Sequence, residues 1–174
     1  NTAPAILSSI LIKEIPEKQP IIFITSDNII KKNILFNKSL NFQKKFLNQN
    51  NISIFGIKPK NPSSEYGYFL IKKKSNTINK VVKFIEKPNK SMVKIIVKKK
   101  GLMNGGMFFA RKDSLIKNFK LYQSQIYKNC LQSLKKAKIK KNVYYLEKSN
   151  FKKVKEISFD YAILEKCKNI NCIK

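Results

Sequence analysis

A chain of 174 residues with 36 lysines, one arginine and ten acidic residues carries a formal charge of +27, with no histidine and three cysteines that form no C-x-x-C pair. The lack of histidine excludes His-assisted nucleophiles and the usual zinc sites, which leaves lysine and carboxylate chemistry, and no apolar run approaches the ~20 residues of a membrane helix. So basic a balance raises nucleic acid as a partner, but selection for phosphate binding would also favour arginine, whose planar fork grips phosphate; with Arg111 alone, the expectation is no nucleic acid.

In chain order, apolar residues recur at helical spacing over residues 4–15, and Pro16 and Pro20 close that segment. "PIIFITSD" has the β-branched density of a buried strand and ends in the polar turn Ser26-Asp27-Asn28. Residues 35–48 read as an amphipathic helix and residues 52–57 as the next strand, a βαβ unit whose crossover helix should cover one face of a parallel pair. "KPKNPSSEYG" is a loop. Residues 66–73 and 79–86 read as two strands joined by a polar turn around Ser75 and Asn76. A short helix is expected over residues 91–99 and a strand over residues 102–111. Asp113 is the expected N-cap of a helix reaching about residue 134. The basic stretch 135–150 is patterned only at residues 143–146, and a last helix begins near Phe159. Alternating strands and helices imply an α/β fold with a mixed sheet and helices on both faces.

Several residues invite chemistry. In open α/β sheets ligands gather at the carboxyl ends of strands, where Asp27 would either hold a hard cation or cap the following turn. Asp160, in the first turn of the last helix, either favours the helix dipole or joins Asp27 at a magnesium site. Glu86-Lys87-Pro88 ends a strand; the residue before proline is kept out of the helical region, so Lys87 should stay extended and project toward a phosphate, with Glu86 suited to sugar hydroxyls. The plainer reading is an exposed ion pair of small worth. Gly105 and Gly106 mark a bulge or a close backbone approach, and Asn104 beside them offers donor and acceptor. Tyr66-Gly67-Tyr68 gives the same signal more weakly. The lysine runs at 72–74, 98–100 and 135–141 read as solvated faces, the alternative being a basic nucleic-acid-binding module.

Taken in sequence, "NTAPAI" (1–6), "ITSDNII" (24–30), "FGIKPKNPSSEYGY" (55–68), "FIEKPN" (84–89), "MNGGMFFAR" (103–111) and "SFDYAILE" (158–165) resemble the nucleotide-sugar pyrophosphorylases, most closely the mannose-1-phosphate guanylyltransferases. The resemblance implies a Rossmann-like nucleotidyltransferase fold that joins GTP and mannose 1-phosphate into GDP-mannose and pyrophosphate with Mg2+, in the cytoplasm. It implies that the segment Asn1, Thr2, Ala3, Pro4 and Ala5 lies by the base, that Asp27 and Asp160 bind the metal, that Glu86 and Lys87 hold the sugar and its phosphate, and that Gly67 and Asn104 contact the sugar. A related pyrophosphorylase with another base or sugar is the alternative. The family's pattern is altered here: Asn28 follows Ser26-Asp27 where a histidine is usual, Glu65 replaces a glycine, and Met103 replaces a tryptophan. The family's glycine-rich loop should precede Asn1, so residues 1–174 read as an incomplete catalytic domain, expected to be inactive alone and exposed where its first strand is missing. A homo-oligomer is compatible with the chain.

Overall fold

Alternation along one ten-residue strand organises the molecule. The computed structural model describes residues 1–73 and 78–174; the expected turn around Ser75 and Asn76 and part of the first lysine run lie outside them. The main sheet comprises β1 (Pro20–Phe23), β2 (Ile52–Ile57), β3 (Tyr68–Lys73), β4 (Asn79–Ile85), β5 (Leu102–Arg111) and, after a separate hairpin of β6 (Lys138–Lys140) and β7 (Val143–Tyr145), β8 (Ile170–Ile173). Its spatial order is β1-β5-β2-β8-β4-β3, and β3 also pairs with β5, so the sheet curls back on itself. β2 and β8 are parallel and every other pairing is antiparallel, which makes the sheet mixed.

Because side chains on a strand point alternately to opposite faces, β5 sends Phe108 and Ala110 into one core and Met107 and Phe109 into another. The first core receives helices α1 (Thr2–Ile10), α4 (Lys112–Tyr122) and α5 (Ser124–Lys135), through residues such as Leu7, Leu115 and Ile126. On the other face α2 (Asn33–Lys44) packs Phe36 and Leu40 against Phe55 and Met107. A third, smaller cluster seats α3 (Lys90–Lys98) on β3 through Val93, Ile96 and Tyr68. Helices thus cover both faces of an α/β sheet. Among the described residues no helix is long and apolar enough to cross a membrane.

The structure differs from the sequence expectations at identifiable places. β1 and β2 are not neighbours; β5 lies between them, antiparallel to both, because its continuous apolar run needs partners on both edges. α1 starts at Thr2, where Asn1 accepts the Thr2 amide at 3.2 Å, and stops at Ile10. Beyond it the buried Lys112 ammonium donates to the carbonyls of Ile12 and Ile15 at 2.8 and 2.7 Å, so those groups are drawn out of a helical ladder. The long helix expected after Asp113 begins two residues earlier, at Lys112, with Asp113 in its first turn accepting from Ser114 N at 2.8 Å and pairing with Arg111. It breaks at Gln123, whose side chain reaches 2.9 Å to the carbonyl of Ala162. A short helix α6 (Lys148–Phe151), capped by Glu147, and the strands β6 and β8 complete the chain.

Candidate active site

β2 and β8 run parallel and β5 runs against β2, so residues at the carboxyl ends of the parallel strands meet the first half of β5: Gly56 sits opposite Asn104 and Ile57 opposite Met103. β3 pairs with the same stretch through Tyr68 and Met103, and the Asn104 backbone amide donates 2.8 Å to the carbonyl of Gly67. The loop into Gly67 is latched by Tyr68, fully buried, whose hydroxyl accepts from Ser63 N at 3.0 Å and donates to Ser63 O at 2.9 Å. Gly67 is required by space: a Cβ there would overlap Glu86 Oε2 and come within 3.0 Å of the Phe84 ring.

Asp160 enters from the other side. The Asn104 side-chain amide donates to Asp160 Oδ1 at 2.7 Å, while Asn104 Oδ1 accepts from Gly106 N at 3.3 Å. Asn104 therefore spends both ends of its amide positioning Asp160 and the glycine bulge. Gly106 has φ +70° and turns its open side toward Thr25, and Asn28 Nδ2 donates to the Gly105 carbonyl at 3.0 Å. Two neighbouring residues of β5 thus tether both aspartate-bearing segments: Asp160 through Asn104, and the exposed turn carrying Asp27 through Gly105.

Asp160 opens a five-residue π-helical turn, Asp160–Leu164, closed by Glu165 N donating to Asp160 O at 3.0 Å. Such wide turns are rare and concentrate at functional sites. In an α-helix, residues five apart point about 140° away from each other; the wider turn brings Glu165 round toward the side of Asp160. Its Oε1 accepts from the Glu86 amide at 2.9 Å. Three carboxyl groups are thereby gathered. Burial, then Asp160 and Glu165, push the Glu86 carboxyl up to about 7 against the opposing pull of Lys87. Burial also raises Asp160, with Glu165 adding to it, against the hydrogen bond from Asn104. Glu86 Oε2 is buried and has no hydrogen-bond partner among the described residues, an arrangement that costs free energy unless a ligand completes it.

Lys87 corrects the sequence expectation. Its φ is +45° rather than extended, because Glu86 N is held by Glu165 while Pro88 is buried, so the chain must reverse in one residue. The side chain is exposed beside the cluster. At the amino terminus, Thr2 and Ala5 line a cavity of about 280 Å³ together with Asn104, Gly106 and Asp160. Asn1 caps α1, and Ala3 and Pro4 are buried against the core. The Thr2 hydroxyl accepts from Phe159 N at 2.9 Å, and Phe159 stacks on Phe108 at 4.2 Å between ring centroids, which fixes the entry to the π-turn. Asp27 does not line this cavity. Among the described residues no group of three or more acidic, cysteine or histidine side chains is arranged as a metal cage. Asp160, with only Oδ1 engaged by a side chain, has an oxygen that a hard cation could take. Sequence reasoning passed over Glu165 and Thr25: the first depends on the π-turn's phase, the second on the positive φ of Gly106, and neither is marked by residue type.

Comparison with known proteins adds family evidence. The profile of the family described as nucleotidyl transferase matches residues 1–149. A curated mannose-1-phosphate guanylyltransferase from Escherichia coli is 30% identical over 178 residues, a match covering 97% of this chain and 38% of that protein. The chain therefore spans well under half the length of this relative. Among solved structures, a Helicobacter pylori protein described as mannose-6-phosphate isomerase superposes with a TM-score of 0.88 at 22% identity, over 99% of this chain and 68% of that one. A Thermus thermophilus protein described as mannose-1-phosphate geranyltransferase gives 0.84 at 19% identity, over 99% and 49%. At these identities the two structures speak for the fold.

Proposed function

The chain belongs to the nucleotidyl transferase family, and from that premise we propose that it supplies the sugar-phosphate side of an enzyme that makes GDP-mannose and pyrophosphate from GTP and mannose 1-phosphate. The observation that carries the reading is the convergence of Gly67, Glu86, Asn104 and Asp160 on one spot, with a buried carboxylate oxygen of Glu86 left without a partner among the described residues. A sugar hydroxyl donating to that oxygen would remove the cost of burying it. Gly67 keeps the approach open, and Asn104 holds Asp160 in place.

In the proposed reaction an oxygen of the sugar phosphate attacks the α-phosphorus of the nucleotide, the new P–O bond forms as the bond to the bridging oxygen breaks, and pyrophosphate departs with those electrons. Lys87, exposed at the rim, offsets the charge of the incoming phosphate, and Glu86 orients the sugar. Asp27 and Asp160 are the residues that would hold Mg2+, which when bound neutralises phosphate charge. Thr2 and Ala5, lining the adjoining cavity, would lie by the base. Positioning and charge compensation account for most of the acceleration in phosphoryl chemistry.

The test is pyrophosphate release by the longest protein that contains this chain. It should require GTP, mannose 1-phosphate and magnesium together, and fall at least about a hundredfold in Asp160→Ala. Equal turnover with another nucleoside triphosphate would reassign the base, and turnover untouched by Asp27→Ala and Asp160→Ala together would remove the metal assignment.

A further inference from the structure

A second cleft, of about 470 Å³, opens at the far end of the sheet from Asn104. It lies where β2 and β8 begin, since Asn51 precedes Ile52 and Ile52 pairs with Ile170. Asparagines and lysines line it with no carboxylate among the lining residues. Four of the five lining asparagines, Asn48, Asn50, Asn51 and Asn169, commit their side-chain oxygens to the protein. Asn48 Oδ1 accepts from Asn50 N at 2.8 Å, Asn50 Oδ1 accepts from Lys117 Nζ at 2.6 Å, and Asn169 Oδ1 accepts from Lys80 Nζ at 3.4 Å. Asn51 also spends its Nδ2, on the Phe46 carbonyl at 2.8 Å, while the Nδ2 groups of Asn48, Asn50 and Asn169 donate to nothing among the described residues. Asn171, 4% exposed, also lines the cleft, and its side chain makes no hydrogen bond among the described residues.

A cleft with four of its five asparagine side-chain oxygens engaged and three side-chain amides left to donate, flanked by Lys45 and Lys80, favours an anionic acceptor over a cation. It matches a group with several acceptor oxygens and negative charge. We infer that this cleft is a phosphate-binding site, separate from the proposed catalytic one and at the opposite end of the parallel strands. It would take inorganic phosphate or the phosphate group of a small metabolite.

The test uses inorganic phosphate as the probe, titrated at constant ionic strength with chloride as the counter-anion, and follows the side-chain amide NMR signals of Asn48, Asn50 and Asn169. These signals should shift together and saturate with one dissociation constant. Lys80→Gln should weaken binding on the order of tenfold, and Asn169→Asp, which puts a negative charge at the rim without changing shape, should abolish it. Exposed positions such as Asn169 tolerate these changes without loss of fold. Shifts that rise linearly without saturating are the behaviour of diffuse attraction to a +27 chain and would overturn the inference. So would saturable binding that both variants leave unchanged.

Discussion

Replacing Glu86 by glutamine tests the electrostatics of the cluster in a single measurement. In the folded chain its carboxyl is pushed up to about 7, whereas the unfolded chain returns it to the ordinary value of 4.5. Between those values the native state holds a proton that the unfolded state has released, so the group's contribution declines as pH rises through 7 and is intact below 4.5. At face value the displacement is worth about 3 kcal/mol; the side chain is only half-buried, and solvent screening reduces this to about 1–2 kcal/mol. Glutamine keeps the shape and cannot ionise. Urea unfolding of both proteins should therefore give equal stability near pH 4, and the variant should lead by about 1–2 kcal/mol near pH 8. Asp160, also raised by burial, contributes with the same sign, and its repulsion of the ionised Glu86 is part of the difference between the two proteins. Parallel stability curves across that range would refute the account of a crowded, desolvated carboxyl at this site.

Other outcomes follow from the same geometry. Gly67→Ala forces a methyl onto Glu86 Oε2 and should cost about 1–3 kcal/mol, most of it recovered in the Gly67→Ala, Glu86→Ala pair, as a double-mutant cycle in urea would show. Lys112→Met removes the ammonium that serves two carbonyls of the segment after α1 and should lower stability by about 2–3 kcal/mol by chemical denaturation. Asn89 accepts from Met92 N at 2.9 Å as the cap of α3, so Asn89→Ala should lose about 1 kcal/mol, visible as a lower thermal midpoint. With metal, Mg2+ should raise the midpoint more at alkaline than at acid pH, because burial raises the Asp160 carboxyl and the ion competes with its proton; equal shifts at both would argue against Asp160 as a ligand.

The parts of this fold that could be read from the sequence are those governed by local pattern. The strands Ile52–Ile57 and Leu102–Arg111 are rich in apolar and aromatic residues, and α3 follows a polar cap and an apolar stripe. What escaped was set by distant partners. β8 is only Ile-Asn-Cys-Ile, and it is a strand because β2 offers it a parallel edge. The break at Gln123 comes from a carbonyl 39 residues away, and Lys87 takes a positive φ because Glu165, far along the chain, fixes the amide just before it. At the candidate site, Gly67, Glu86, Asn104 and Asp160 announced themselves through glycine cost, a proline stop and an isolated acid. Asp27 had an equally good signal; it does not itself line the cavity, but Thr25, two residues before it, does, and Asn28 just after it is tied to Gly105.

The turn at Asp160–Leu164 holds one residue more per revolution than an ordinary helix, and that surplus sets which way Glu165 faces. Regular winding at unchanged length would leave Asp160 and Glu165 about 140° apart and swing Glu165 out of reach of the Glu86 amide, whereas deleting the exposed Tyr161 along with that change would set the two acids four apart and keep them on one side. The surplus residue and the wide turn thus offset each other, and the third acid is kept or lost by phase rather than by composition.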